Sequence, residues 1–473
     1  MILKMKATKT KIIATIGPST NKYDDLKDLH SAGMDVARIN MSHASHADAL
    51  NVIESVHKLN KNQSDLYGPI GILLDTQGPE IRTGISQSDV DLKTGDIVNL
   101  TIRDDVDVET SSIKINYKGL IKSVHKGSKI SIDNGLLNFK VLAKDNKNLK
   151  CKVLDGGMLG SKRHVNLPGV RVDLPSITKK DRKDINFGIK NNVSFIALSF
   201  VRSAKDILTL KSILKRKKSP IKIIAKIENQ EGLDNIHEIT KAADIVMVAR
   251  GDLGIETDLA DLPNIQRRIM YASAKWGRRS IVATHLLESM INNPTPTRAE
   301  VTDVANAIYE GADAIMLSGE TSVGKYPVEC VKFLKSIALK TEKFKTLEYE
   351  KSFSPNSDWQ HIGLAAKNLA ESIKADGIIA ITRTGKTAQY ISNSKPNGIP
   401  IFTFTGNKKT LSQLTLVGST ESFYLTNLSN HEKTLENVSK ILKKYYGREG
   451  LKFIMVSSIF SEEHSEAIQI INI

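Results

Sequence analysis

The segment 222–254 reads KIIAKIENQEGLDNIHEITKAADIVMVARGDLG. Two apolar runs of strand length, 222–227 and 245–250, enclose a stretch of helical character. Strand side chains alternate, so Lys226 and Glu228 share one side of the first strand and point toward whatever lies at its end. The second run continues Ala249-Arg250-Gly251-Asp252, which sets another carboxylate beside Glu228 and a glycine where a ligand can approach the backbone. Outward from this pair, similar runs occur at 11–16, 36–40, 70–75, 195–200, 280–284 and 314–318, which makes eight strands over residues 11–318. Eight strands alternating with helices close a barrel, and the chemistry of such barrels sits at the carboxyl ends of the strands. Asn40, Asp75, Glu228, Arg250 with Asp252, and Thr284 all fall there.

About 120 residues separate the third and fourth runs, where most gaps are 20 to 30 residues. Short alternating segments such as 97–102 and 129–132, with turns at 93–96 and Asp133-Asn134-Gly135, predict an inserted β-domain over the barrel mouth. After the charged stretch 341–351 and the turn-rich stretch 352–358, strand-like runs return at 377–381, 399–404 and 452–456. The expected fold class is therefore α/β: a (β/α)8 TIM barrel interrupted by a small β-barrel lid domain and followed by a C-terminal α/β domain. The expected boundaries are 1–79 and 173–344 for the barrel, 80–172 for the lid and 345–473 for the last domain.

A chain of 473 residues, 40% hydrophobic and 25% charged, has the composition of an ordinary globular protein. No apolar run approaches the ~18 residues of a spanning helix, and the basic start, Met1 to Lys6, is not followed by an apolar signal region. A cytoplasmic protein without membrane partners is expected. Cys151 and Cys330 are too few for a disulfide framework and read as buried thiols. The net charge of +15 attracts anions. The densest basic run, Lys215-Arg216-Lys217-Lys218, ends a helical pattern and is explained by the helix dipole and solvation. With only 5% aromatics, and no basic stretch interleaved with them, nucleic acid is not an expected partner.

Two segments imitate nucleotide loops. Gly319–Lys325 is followed by Tyr326 rather than a magnesium-binding hydroxyl, and the loop ending Gly385-Lys386-Thr387 has alanine where the first glycine belongs. The latter still follows a strand and opens a helix, so Thr382, Thr384, Gly385, Lys386 and Thr387 form a candidate effector-phosphate site, with an ordinary strand-to-helix turn as the alternative. Glu228 and Asp252 suit a divalent ion that keeps waters and binds substrate oxygens, although Lys226 and Glu228 would also make a plain buried ion pair. Oxygens of Asn40, Ser42, Asp75 and Thr76, without thiolate or imidazole, suit a hard cation or a hydrogen-bond network. His43, His46 and His285 have no ligand spacing.

At these residues the chain resembles the pyruvate kinase family over essentially its whole length. KIIATIGPST (11–20), RINMSH (38–43), LDTQGPEIRTG (74–84), AKIEN (225–229), VARGDLGIE (248–256), ATHLLESM (283–290) and PTRAEVTDVANAIYEGADAIMLSGET (296–321) match the family's strings in order. The resemblance implies transfer of a phosphoryl group from phosphoenolpyruvate to ADP by a homotetramer, with Mg2+ (or Mn2+) and K+ as cofactors. It implies that Arg38 and Lys226 hold the phosphoryl group, that Glu228 and Asp252 bind magnesium, and that the backbone of Ala249, Arg250 and Gly251 meets the substrate carboxylate. It assigns Asn40, Ser42, Asp75 and Thr76 to potassium, Asn40, His43, Arg82 and Lys180 to the nucleotide, and Thr284 to proton delivery. The resemblance also places Glu80, with Thr76 and Thr83, in the potassium-dependent branch, whose members carry glutamate at this position where potassium-independent members carry lysine.

Two departures stand out. His285 follows the catalytic threonine where the family often has glutamine, and the tail 456–465 lacks glycine and carries two acids where members activated by fructose 1,6-bisphosphate have a Gly- and Thr-rich loop. Some other sugar-phosphate or nucleotide effector is the expectation. A magnesium-dependent lyase or aldolase acting on 2-oxo acids and a basic RNA-binding or scaffold protein are the competing readings; Lys226 and the inserted lid argue against the first, and the intact set of charged residues that the chemistry needs argues against the second.

Overall fold

The computed structural model describes residues 8–62, 68–86, 88–105, 107–109, 111–426, 428, 431–457 and 467–473. Residues 1–7 and most of the acidic tail (458–466), on which two expectations fell, lie outside that set. Eight parallel strands, β1 (Lys11–Ile16), β2 (Val36–Asn40), β3 (Gly71–Asp75), β4 (Phe195–Leu198), β5 (Lys222–Ile227), β6 (Ile245–Ala249), β7 (Arg279–Ala283) and β8 (Ala314–Leu317), pair in chain order. β1 closes on β8, with Ile13 opposite Met316.

Alternation along each strand divides the barrel core in two. Ile13, Leu73, Phe195, Ile224, Met247, Ile281 and Met316 fill the interior, while neighbours such as Ile12, Ile72, Ile223 and Val246 pack outward against the helices. Because Ile224 faces the interior, Lys226 and Glu228 on the same side of β5 stand above it in the mouth.

The insertion has its own core, including the fully buried Leu100, Phe139 and Cys151. It forms a six-stranded sheet in the order Val165–Asn166, Lys129–Ile132, Leu137–Lys144, Asn148–Asp155, Ile97–Thr101 and Ser112–Lys114, beside a two-stranded one. The expected turn at Asp133, Asn134 and Gly135 is present, all three at positive φ (57°, 55° and 85°), where Asn, Asp and Gly are best tolerated. Arg202 fastens the chain leaving this domain by donating to the carbonyls of Val172 and Leu174.

The C-terminal sheet runs Thr420–Tyr424, Ile401–Thr405, Gly377–Ile381, Lys452–Ser457 and Ala467–Asn472, the last antiparallel. Its first and last strands were not anticipated from the sequence. This domain seals the amino-terminal floor of the barrel. Leu416, 1% exposed, joins the interior cluster beneath Phe195; Lys11 donates to the Thr420 carbonyl at 2.8 Å and Asn393 to that of Gly277 at 2.8 Å. Lys395 pairs with Asp313.

The two cysteines are buried and unpaired, their thiols pushed up to about 12 by burial. In the first loop that imitates a nucleotide site, the Glu320 carboxylate accepts from the backbone N–H groups of Ser318 (2.7 Å) and Leu287 (3.1 Å), so the loop's own side chain takes the place an anion would need. The basic run begins in the last turn of the expected helix, Ala204–Arg216, and continues past its end. Among the described residues no helix is long and apolar enough to cross a membrane.

Among the described residues, Leu416 is the one side chain of the C-terminal domain in the barrel interior cluster. Leu416→Ala is expected to cost about 2–5 kcal/mol and Leu416→Met less than about 1.5 kcal/mol, read from guanidinium unfolding midpoints. Equal midpoints for the two variants would show that the plug does not support the barrel.

Candidate active site

The mouth is built from strand ends. Lys226, 8% exposed on β5, donates to Ser199 Oγ at 2.8 Å and pairs with Asp75 Oδ1 at 3.1 Å and Glu228 Oε1 at 3.0 Å. Burial alone would lower the pKa of this ammonium, but the two carboxylates outweigh burial and hold it above its ordinary value, so it is a permanent cation. Arg38 on β2 binds Asp75 Oδ2 through Nε (2.8 Å) and its terminal nitrogen (2.7 Å), and reaches Thr15 Oγ1 at 2.8 Å. Asp75 is fully buried at the end of β3 with both oxygens engaged; burial would raise its pKa, and Lys226 and Arg38 together pull it below the ordinary value.

Glu228, 1% exposed, accepts from the Phe200 N–H at 2.5 Å as well as pairing with Lys226. Burial pushes its acid up to about 7 against the pull of Lys226, with Asp252 adding repulsion. Burial likewise raises Asp252. Two buried cations, Arg38 and Lys226, thus face three carboxylates, Asp75, Glu228 and Asp252, leaving one negative charge in excess before any anionic substrate arrives. A proton on Glu228 or a bound cation relieves that excess. The donor set fits a divalent ion: two carboxylates, and among the described residues no third His, Cys, Asp or Glu to complete a cage, which leaves further positions to water and substrate oxygens.

The four oxygen-bearing residues read as a hard-cation set lie together, since Asn40 and Asp75 are cross-strand partners and Ser42 and Thr76 follow them. Their oxygens also serve the protein: Asn40 Oδ1 accepts from the Ser42 N–H at 3.1 Å, and Thr76 Oγ1 donates to the Ala197 carbonyl at 3.1 Å. Lys180 ties the same loop to its helix, donating to the Met41 carbonyl at 2.6 Å and to Asp184 at 2.8 Å. His43 is exposed beside it. Arg82, on the chain entering the insertion, is held by Glu80 at 2.6 Å, and Gln77 donates to the same carboxylate oxygen at 3.0 Å.

Thr284 and His285 sit consecutively at positive φ, 69° and 53°. For a β-branched threonine this is a strained conformation that needs outside support. Arg250 provides it: its guanidinium donates to the carbonyls of Ala283 (3.2 Å), Thr284 (2.6 Å) and His285 (3.3 Å) and is anchored by Asp303 at 2.8 Å. With the Arg250 side chain so engaged, its backbone is the part left free for a ligand. The Thr284 hydroxyl accepts from the Gly251 N–H at 3.0 Å and donates to the Ala283 carbonyl at 2.6 Å.

The effector candidate is more ordinary. Thr382 Oγ1 accepts from the Gly385 N–H at 3.0 Å, Gly385 opens the helix Lys386–Asn393 at φ 81°, Thr387 is buried, and Thr384 and Lys386 are exposed. Several participants escaped the sequence reading. Thr15 and Ser199 stand at strand ends and the strand-end rule would have found them. Asp303, His164 and Glu256 have no such signal. His164, on the insertion, lies 3.6 Å from Asp252 with burial holding its pKa below the ordinary value. Glu256 Oε1 accepts from Asn166 Nδ2 at 2.9 Å and from the Leu167 N–H at 3.3 Å, and burial pushes its acid up to about 7.

Comparison with known proteins agrees with this architecture. Residues 7–331 match the family described as pyruvate kinase, barrel domain, and residues 360–471 match pyruvate kinase, alpha/beta domain. The chain is 43% identical over 418 residues to a pyruvate kinase of Staphylococcus epidermidis, covering 86% of this chain and 70% of that protein. It is 42% identical over the same length to one of Staphylococcus aureus, with the same coverage. A crystal structure of a pyruvate kinase from Cryptosporidium parvum superimposes with a TM-score of 0.94 at 33% identity, covering 100% of this chain and 97% of that one.

Glu256 gives the folded state a measurable dependence on pH. Its acid binds a proton more readily folded (about 7) than at its ordinary value of 4.5, so folding loses ground as pH rises through that interval. Glu256→Gln keeps the acceptor oxygen without the charge and is expected to be more stable than the parent at pH 8, on the order of 1–3 kcal/mol, and equal to it at pH 4. Urea midpoints at the two pH values check this, and a gap of the same size at both would remove the assignment.

Proposed function

Because the chain belongs to the pyruvate kinase family, a phosphotransferase family that passes the phosphoryl group of phosphoenolpyruvate to ADP in the last step of glycolysis, we propose that Lys226 and Arg38 are the cations on which that group is received and released. The observation that carries this reading is the buried Lys226 ammonium, fixed by Asp75, Glu228 and Ser199 and aimed into the mouth. Phosphoryl transfer needs positioning and concentrated positive charge more than a protein nucleophile, and the site offers just those.

In this scheme the bond between phosphorus and the enol oxygen breaks as a bond forms to a terminal oxygen of ADP, leaving the enolate of pyruvate. Lys226 neutralises charge on the equatorial oxygens of the group in flight, and Arg38 fixes its orientation. The backbone of Ala249, Arg250 and Gly251, where the helix Arg250–Glu256 begins, meets the substrate carboxylate. Thr284, held by Arg250 in its strained conformation, stands on the side from which C3 of the enolate takes its proton. Asn40, His43, Arg82 and Lys180 ring the other side of the mouth and suit the nucleotide.

Glu228 and Asp252 would hold Mg2+ (or Mn2+), which when bound neutralises phosphoryl and enolate oxygens. Asn40, Ser42, Asp75 and Thr76 would hold K+, with Glu80 adding negative charge nearby. The domain spanning 80–172 acts as a lid that excludes water from the transferring group. A phosphorylated effector at Thr382–Thr387, a homotetrameric assembly and a cytoplasmic setting complete the proposal.

Lys226→Met is expected to lower kcat for pyruvate formation, followed in a coupled assay with phosphoenolpyruvate and ADP, by on the order of 10³ or more. Proton exchange into added pyruvate should survive better; equal loss of both in a folded variant would overturn the role given to Lys226. Activity is expected to fall steeply when potassium is replaced by a bulky organic cation at constant ionic strength, because the anionic substrate enters a pocket already in negative excess. Full activity without potassium, sodium or ammonium would return Asn40, Ser42, Asp75 and Thr76 to a hydrogen-bonded network.

A further inference from the structure

The helix Arg250–Glu256 starts where β6 ends and carries Gly251 and Asp252 in its first turn. Asp252 and Glu256 are four residues apart and share one face of it. Across from that face runs the last strand of the inserted domain, Val165–Asn166, where residues 164 and 166 share one side. The two repeats match in length: four helical residues rise about 6 Å and two strand residues about 6.6 Å. The contacts fall in step, His164 against Asp252 at 3.6 Å and Asn166 against Glu256 at 2.9 Å, with the Leu167 N–H on the same Glu256 oxygen at 3.3 Å.

We propose that Glu256 is a positioning residue: through Asn166 and Leu167 it sets the inserted domain at a defined angle to the helix that presents Gly251 and Asp252 to the substrate. Asn166 is 1% exposed, and its Oδ1 has no hydrogen-bond partner among the described residues, so its amide is oriented by the contact with Glu256. Its backbone is paired with Ser131 in the six-stranded sheet, so force at Glu256 reaches the whole insertion. Glu256 keeps this place although burial disfavours its ionisation, whereas an apolar residue there would avoid that cost and lose both hydrogen bonds. A ligand that pulls on Asp252 and Gly251 therefore moves the seam, and closure of the insertion is reported back to the helix.

This inference rests on the reading of the insertion as a lid over substrate held at Gly251 and Asp252, and the experiment separates the two. Hydrogen–deuterium exchange in the lid strands 129–144 is followed with and without phosphoenolpyruvate and magnesium, alongside kcat/KM and kcat, in the parent and in Glu256→Ala, Asn166→Ala, the double variant and Glu256→Gln. Ligand-induced protection in the parent is the condition for a lid, and its absence there overturns the lid reading and this inference with it. Given that protection, Glu256→Ala and Asn166→Ala are each expected to lose it and to lower kcat/KM for phosphoenolpyruvate about tenfold, the scale of one buried charge-assisted hydrogen bond. The double variant should be no worse than Glu256→Ala, which already removes the contacts to both Asn166 and Leu167. Glu256→Gln, which retains the acceptor oxygen, should restore both readouts. Should Glu256→Ala not fold, Asn166→Ala tests the same contact from the other side. Full ligand-induced protection and unchanged kcat/KM in folded Glu256→Ala or Asn166→Ala would overturn the inference, as would lowered stability accompanied by parental protection, which is the mark of a brace.

Discussion

A lysine ammonium buried among two carboxylates and a hydroxyl sets the terms for the rest of the molecule. Asp75, Lys226 and Glu228 are each less than a tenth exposed, and none of them could be buried charged without the others. They come from the ends of β3 and β5, with Ser199 from the end of β4 and Arg38 from β2, so the network spans four adjacent strands of the closed sheet. Strand register decides whether it forms, because a slip of one residue would turn Lys226 into the helix layer and Ile227 into the mouth. Fixed in this way, the charges are already oriented toward the group to be transferred and need little rearrangement when it arrives.

The network is incomplete by one positive charge, and this connects the architecture to its cofactors. The excess over Arg38 and Lys226 is expressed in the raised acids of Glu228 and Asp252. Substrate brings further negative charge, so positive ions are needed both to enter and to work. Strained backbone also lies beside the same place. Thr284, His285 and Phe200 are non-glycine residues at positive φ on the rim, and Arg250, supported by Asp303, holds the first two from behind. The opposite end of the barrel is closed by Leu416, Lys395 and Asn393 of the C-terminal domain. One end is organised for chemistry and the other for stability, as expected for this fold.

Much of this was legible in the residue order. Apolar runs with polar ends located all eight barrel strands to within a residue or two, because a strand covered on both faces reads as continuous hydrophobicity. The edge strands Thr420–Tyr424 and Ala467–Asn472 were missed for the converse reason. They are partly exposed and interleaved with polar residues, so TESFY and AIQIIN lack the apolar continuity of the central strands. Within the site, Arg38, Lys226, Glu228 and Asp252 declared themselves by charge at strand ends, and Ser199 and Thr15 obeyed the same rule without a charge to draw attention to them.

The sequence by itself determined which residues are strands, which side of each strand is polar, and therefore that Lys226 and Glu228 share a mouth, because period-two alternation is a local property of the chain. Only the tertiary structure decided the partners. Thr15 reaches the Leu317 carbonyl because β1 closes on β8, Arg250 finds Asp303 on a helix 53 residues away, and Asn166 meets Glu256 across 90 residues. No local pattern encodes such pairings, because each depends on where independent elements come to rest when the barrel closes and the inserted domain docks on its rim.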